Sequence, residues 1–160
     1  MRPPRRARVA VVGGGILGCA TAWHLARAGA RDVVVLERDD LNAATTSQAA
    51  GLVGQLRTSA VKSAIVGQTL SDIACLEADG LVSGFRRTGS LRLALTRERG
   101  DEIREQVAAA RRFGVEATLI DADDVRRLAP GVEVAKDQPA AWMPNDGYAE
   151  PYTLATAYAT

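Results

Sequence analysis

Apolar residues fall along this chain in runs of two distinct periods. The first run, Arg8 to Val12, is valine-rich and lacks polar alternation, which reads as a strand buried on both faces. From Ile16 to Ala28 the small and apolar residues Gly18, Ala22, Leu25 and Ala26 recur at helical spacing, and Gly29 supplies a left-handed stop. Val33 to Glu37 is a second apolar run. Strand, helix and strand in this short compass predict a right-handed βαβ crossover with parallel strands.

After Glu37 the pattern gives way to a polar, small-residue loop, "RDDLNAATTSQAAGLVGQLR". Val61, Ile65, Leu70, Ile73 and Leu76 then predict a helix from Ala60 to Asp79, ended by Gly80. Leu91, Leu93 and Leu95 alternate with Arg92 and Ala94, the period of a strand with one covered face, and Arg86, Arg87 and Gly89 read as its hairpin lead-in. Asp101 is the expected cap of a helix running to Phe113, stopped by Gly114 before a short apolar segment, Ala117 to Ile120. Asp121 caps a further turn or two that Pro130 and Gly131 end. "AAWM" reads as a strand, "PNDG" as a turn, and Pro151 as the start of a helix still in progress at Thr160.

Composition narrows the class. A length of 160 residues with 47% hydrophobic content suits one ordinary domain with a packed core. Twenty Lys+Arg against 19 Asp+Glu leave a net charge of +1, so no basic field points to nucleic acid or to an anionic membrane. The two cysteines, Cys19 and Cys75, have neither redox nor zinc spacing and are expected to be buried thiols in a reducing compartment, with no metal site. "MRPPRR" before an apolar stretch imitates a secretion signal, but a glycine cluster interrupts that stretch. No apolar run approaches the roughly eighteen residues needed to cross a bilayer. The expectation is therefore a cytoplasmic protein without a membrane partner. His24, the single histidine, is expected to face outward on the first helix.

The chemistry lies in the glycines. Gly13-x-Gly15-x-x-Gly18 alone is a weak signal, but here it follows a strand, opens a helix, and has Glu37 at the end of the next strand. In that setting Gly13 allows the tight turn, Gly15 lets a pyrophosphate approach the backbone, and Gly18 lets the helix pack close. The helix start near Ile16 offers unpaired N–H groups and a positive dipole end to the phosphates. Glu37 accepts hydrogen bonds from the two adenosine ribose hydroxyls and repels a 2′-phosphate. Arg38 lies either beside the adenine or in solvent as a surface charge. The fingerprint itself does not separate FAD from NAD.

Three further segments, "TTSQAAGLVGQLR", "RRTGSLRLALT" and "WMPNDGYAEPYTLATAYA", resemble the FAD-dependent amine oxidoreductases of the D-amino-acid oxidase superfamily, with the closest likeness to dimethylglycine and sarcosine dehydrogenases. The resemblance implies a Rossmann-like FAD-binding βαβ unit with part of an α+β substrate domain. It implies that Thr45, Thr46 and Ser47 lie near the pyrophosphate and ribityl chain, and that the loop Gln48 to Leu52, with Ala50 and Gly51, runs past the isoalloxazine ring. Such dehydrogenases carry a flavin-linking histidine where Gln48 stands; a glutamine amide is no nucleophile, so noncovalent FAD is expected. Tyr148 is the implied substrate contact, unless Asp146 and Gly147 form a tight turn and the Tyr148 ring packs in the core.

The implied substrate is a small secondary or tertiary N-methyl amine or amino acid, oxidised by hydride transfer to flavin N5, with oxygen or an electron-transfer protein as the acceptor. Domain boundaries are expected at 1–84 for the FAD-binding part, 85–147 for a partial substrate domain, and 148–160 for a helix returning to the first. Relatives of this kind are longer, so the chain is expected to be an incomplete fold and inactive alone. The alternatives are an NAD-dependent dehydrogenase, for which regular βα repeats should follow Glu37, and a truncated nucleotide-binding fragment without catalysis.

Overall fold

The computed structural model describes Pro4 and residues 6–160; the signal-like start of the chain falls largely on Met1–Pro3 and Arg5, outside the described residues. The elements in chain order are β1 (Val9–Val12), α1 (Ile16–Arg27), β2 (Val33–Leu36), β3 (Leu52–Val53), α2 (Ala60–Ala78), β4 (Phe85–Arg87), β5 (Ser90–Leu93), α3 (Arg97–Arg112), β6 (Thr118–Ile120), α4 (Ala122–Leu128), β7 (Ala140–Met143), β8 (Gly147–Ala149) and α5 (Pro151–Tyr158). Gly29, Gly80 and Gly114 each take positive φ just past a helix, as the stop signals require. Among the described residues, no helix is long and apolar enough to cross a membrane.

The chain divides into two compact units, the first made of Met1–Gly51, Ile73–Phe85 and Ala149–Thr160, the second of Leu52–Asp72 and Arg86–Tyr148. In the first, β1 and β2 pair in parallel, Val9 opposite Val33 and Val12 opposite Leu36, with α1 as the crossover. The expected burial of β1 on both faces does not hold. Ala10 is exposed and Val12 is 84% exposed, because α1 covers one face of this sheet and the alternate side chains point away from it. The core of this unit joins Cys19, Ile73, Leu76, Leu154, Ala157 and Tyr158, and Trp23 meets Tyr158 edge to face at 5.5 Å. Cys75 is half-buried, unlike the buried thiol expected, since the Ile73–Leu76 face of its helix points to the core instead. The last helix ends at Tyr158 and does not continue through Thr160.

In the second unit, β7 lies between β5 and β6, antiparallel to both. Ile103, Val107 and Ala110, at helical spacing on α3, pack with Ala94, Ala141 and Met143 into its core. α3 is capped by Thr96, whose hydroxyl accepts from Arg99 N, whereas the expected cap, Asp101, lies within the helix and pairs with Arg104 at 2.8 Å. A cap needs extended backbone and unpaired amides ahead of it, and Thr96 has both. Asp121 caps α4 as expected, accepting from Asp123 N and Asp124 N.

β4 and β5 form no hairpin with each other: β4 belongs to the sheet of order β3–β8–β4, and β5 to that of order β5–β7–β6. Gly89 between them has φ +71, and a Cβ there would lie 1.9 Å from the Trp142 ring. Close approach of an indole, not a tight reversal, accounts for this glycine. The "PNDG" turn is present, with Asp146 N donating to Met143 O, and Gly147 then begins β8.

Candidate functional site

Gly13 has φ +105 and donates its N–H to Leu36 O at 2.8 Å, turning the chain sharply out of β1. A Cβ on Gly18 would sit 1.8 Å from Gly13 O, so the first turn of α1 lies directly on that loop's backbone. Gly15, the N-cap of α1, supplies no side-chain bond of its own. Thr46, thirty residues beyond Ile16, fills that gap: its Oγ1 accepts from Ile16 N at 3.0 Å. The buried Thr46 hydroxyl keeps its own proton for donation.

Glu37 turns back to the glycine loop. Its Oε2 accepts from Gly14 N at 2.6 Å, and Oε1 accepts from Arg38 N at 2.6 Å and Asp39 N at 3.1 Å. These amides, Gly14 foremost, hold the carboxyl below the ordinary carboxylate range. Gly14, which the fingerprint leaves unassigned, also accepts from Asn42 N at 3.0 Å and from Cys19 Sγ at 3.5 Å. Burial raises the Cys19 thiol above its ordinary value, so it stays a neutral filler beneath the loop.

Gly13, Gly15, Glu37, Arg38, Thr45 and Thr46 line one cavity of about 350 Å³, together with Asn42. The other expected cofactor residues are not in its lining. Ser47 Oγ turns back to Ala43 O and Ala44 O, Gln48 and Ala50 are exposed, and Gly51 has φ +69 with its carbonyl accepting from Ala149 N. The Arg38 side chain is 91% exposed and pairs with Asp39 at 3.2 Å. His24 is exposed, as expected.

The second unit contains the other expected residues. Leu52 of β3 lies opposite Tyr148 of β8, and they are 79% and 41% exposed, so the Tyr148 ring is not packed in the core. Asp146, 1% exposed, organises this pair of strands: Oδ1 accepts from Gln55 N at 2.9 Å and Gln55 Nε2 at 3.2 Å, and Oδ2 accepts from Ser90 Oγ at 2.6 Å. Sequence reasoning assigned Asp146 only to a turn, because its partners stand 56 and 91 positions away.

The cavity fits the ADP half of a dinucleotide. Glycines leave the backbone open beside the Thr46 hydroxyl and the Glu37 carboxylate. The helix start does not offer the unpaired Ile16 amide expected from the sequence: Ile16 N donates to Thr46 Oγ1 and Gly14 N to Glu37 Oε2. Asn42, whose buried Oδ1 has no hydrogen-bond partner among the described residues, is one of the lining residues. Fold and site together define a dinucleotide-binding protein of Rossmann type. Regular βα repeats, which an NAD-dependent dehydrogenase would require, do not follow β2 among the described residues.

The chain belongs to the DAO family of FAD dependent oxidoreductases, which matches residues 8–160. It is 36% identical over 156 residues to dimethylglycine dehydrogenase, mitochondrial, of Rattus norvegicus, covering 97% of this chain and 18% of that one. It is 34% identical over 158 residues to human sarcosine dehydrogenase, mitochondrial, covering 98% of this chain and 17% of that one. Among solved structures, the L-proline dehydrogenase from P. horikoshii superposes with a TM-score of 0.89 at 25% identity, covering 98% of this chain and 41% of that one. The chain thus spans under a fifth of the length of the two dehydrogenases it matches in sequence.

Proposed function

We propose that this chain forms the ADP-binding part of the FAD site in an oxidoreductase that acts on the C–H bond beside nitrogen in an N-methyl amine or amino acid of the sarcosine and dimethylglycine kind. The observation that carries the reading is the Gly18–Gly13 contact, which sets the amino end of α1 and the Glu37 carboxylate around one cavity. Bound FAD supplies the hydride acceptor. The protein's own groups bind and orient: amides at the start of α1 and the Thr46 hydroxyl hold the diphosphate, and Glu37 holds the adenosine ribose. Arg38 lies at the solvent rim of the same cavity. Thr45, Ser47, Gln48, Ala50 and Gly51 form the loop leading toward the flavin ring, and Gln48 leaves the cofactor noncovalent. Leu52 and Tyr148 present an apolar and aromatic face for the substrate, which suits a small methylated amine.

The test is a flavin titration of the whole oxidoreductase that contains this chain, followed by acid precipitation and anaerobic addition of sarcosine or dimethylglycine. The reading expects a flavin absorption spectrum, yellow colour in the acid supernatant, and bleaching by the amine. Flavin retained in the washed pellet would show covalent attachment and overturn the role given to Gln48. Failure to bind flavin or ADP would overturn the reading as a whole. Oxygen uptake during turnover distinguishes an oxidase from an enzyme that passes electrons to another protein.

A further inference from the structure

We infer that Asp146 is a positioning residue for the amine substrate: its carboxylate sets the register of β3 on β8 and so keeps Leu52 beside Tyr148. The inference rests on the reading of those two side chains as the substrate face and adds what holds them together. β3 is an edge strand of two residues, joined to β8 by the pairs Leu52–Tyr148 and Val53–Gly147. So short a ladder, flanked by Gly51 and Gly54 and containing Gly147, specifies its register weakly. Burial does not fix it either, since Leu52 is exposed. A slip of one position would turn Leu52 to the opposite face of the sheet and leave Tyr148 without it.

Asp146 supplies the missing constraint. The residue is buried and its own place is fixed: its carbonyl oxygen accepts from Gly89 N at 2.8 Å, its N–H donates to Met143 O at 3.4 Å, and Oδ2 accepts from Ser90 Oγ at 2.6 Å. Oδ1 then meets the chain just beyond β3, accepting from Gln55 N at 2.9 Å and from Gln55 Nε2 at 3.2 Å. The two bonds select one residue. Any backbone N–H could serve the first, but neither neighbour, Gly54 or Leu56, has a side-chain donor for the second. A shifted strand would leave a buried carboxylate short of a donor, which is unfavourable. With Gln55 held, Leu52 falls directly opposite Tyr148. Such cross-strand pairs have Cβ atoms about 5 Å apart, so both side chains can touch one small ligand.

The experiment is a double-mutant cycle of Asp146→Ala with Leu52→Ala in the whole flavin-loaded oxidoreductase that contains this chain. It reads KM for dimethylglycine or sarcosine, whichever bleaches the flavin faster. Loss of folded enzyme lowers Vmax and leaves KM where it was, so KM reports position. Leu52→Ala should raise KM about fivefold and Asp146→Ala about tenfold, and the double variant should match Asp146→Ala alone, because a displaced Leu52 has no contact left to lose. Asp146→Asn, whose Oδ1 still accepts from Gln55, should stay within about twofold of wild type. Effects that multiply in the double variant, an unchanged KM in Asp146→Ala, or a rise in Asp146→Asn equal to that of Asp146→Ala would each overturn the inference and leave the substrate-face reading standing. An unchanged KM in Leu52→Ala would overturn that reading and this inference with it. Should Asp146→Ala fail to fold, as judged by circular dichroism, the cycle is run with Gln55→Leu, which removes the Nε2 donor. It should then raise KM about threefold alone and not at all beside Leu52→Ala; no rise, or multiplying effects, would overturn the inference.

Discussion

Substituting Gly18 by alanine tests the contact on which the cofactor site depends. The added methyl carbon would lie 1.8 Å from Gly13 O and 3.0 Å from Gly13 C. A close C–H···O contact needs about 3.3 Å, so α1 and the loop must separate by about 1.5 Å. Both partners are backbone, and no side chain can swing aside. Overpacking of this severity costs about 3 kcal/mol, the upper end of the usual range. Alanine recovers at most about 1 kcal/mol of helix propensity at this first-turn position, which leaves a net loss of about 2 kcal/mol. In a protein of this size that lowers the melting temperature by roughly 4–8 °C. Gly67, within α2, is the matched control, because nothing lies within 4 Å of its Cβ position. Gly67→Ala should therefore stabilise by up to about 1 kcal/mol. Urea unfolding followed by circular dichroism, with ADP titration of each folded variant, measures both. Equal stabilisation by Gly18→Ala and Gly67→Ala would refute the close approach and with it the reason for the glycine.

The Glu37 carboxyl is depressed by the Gly14, Asp39 and Arg38 amides, so its contribution to stability is complete above its ordinary value of 4.5 and is lost as pH falls through the lower folded value. Unfolding measured from pH 7 down to pH 3 should accordingly show a steeper acid loss in wild type than in Glu37→Gln; parallel curves would refute this. Thr46→Val removes the acceptor of Ile16 N and should cost about 1 kcal/mol in urea unfolding while weakening ADP binding. Asp146→Ala strands the Gln55 and Ser90 donors in a buried site and should cost about 3 kcal/mol or more, with Asp146→Asn intermediate; a loss below about 1 kcal/mol would contradict the role given to this carboxylate.

What the amino-acid order determined was local. The strand–glycine–helix–strand course from Val9 to Leu36, the long helix Ala60–Ala78, and the positive-φ stops at Gly29, Gly80 and Gly114 all follow from interactions within a few positions, which periodicity and turn chemistry record. The glycine fingerprint with Glu37 was legible for the same reason: its parts are close in sequence and each has a backbone role. Tertiary structure decided where partners are distant. It paired β3 with β8 and split β4 from β5, since each strand takes the edge that satisfies its backbone groups and no local pattern names that edge. It chose Thr46 to cap α1, gave Asp146 partners in Gln55 and Ser90, and set Asn42 beside Glu37 in one cavity. A polar residue in a loop carries no sign in sequence of which buried donor or acceptor it will meet; packing of the chain makes that choice, because buried polar groups must find partners wherever the fold brings them.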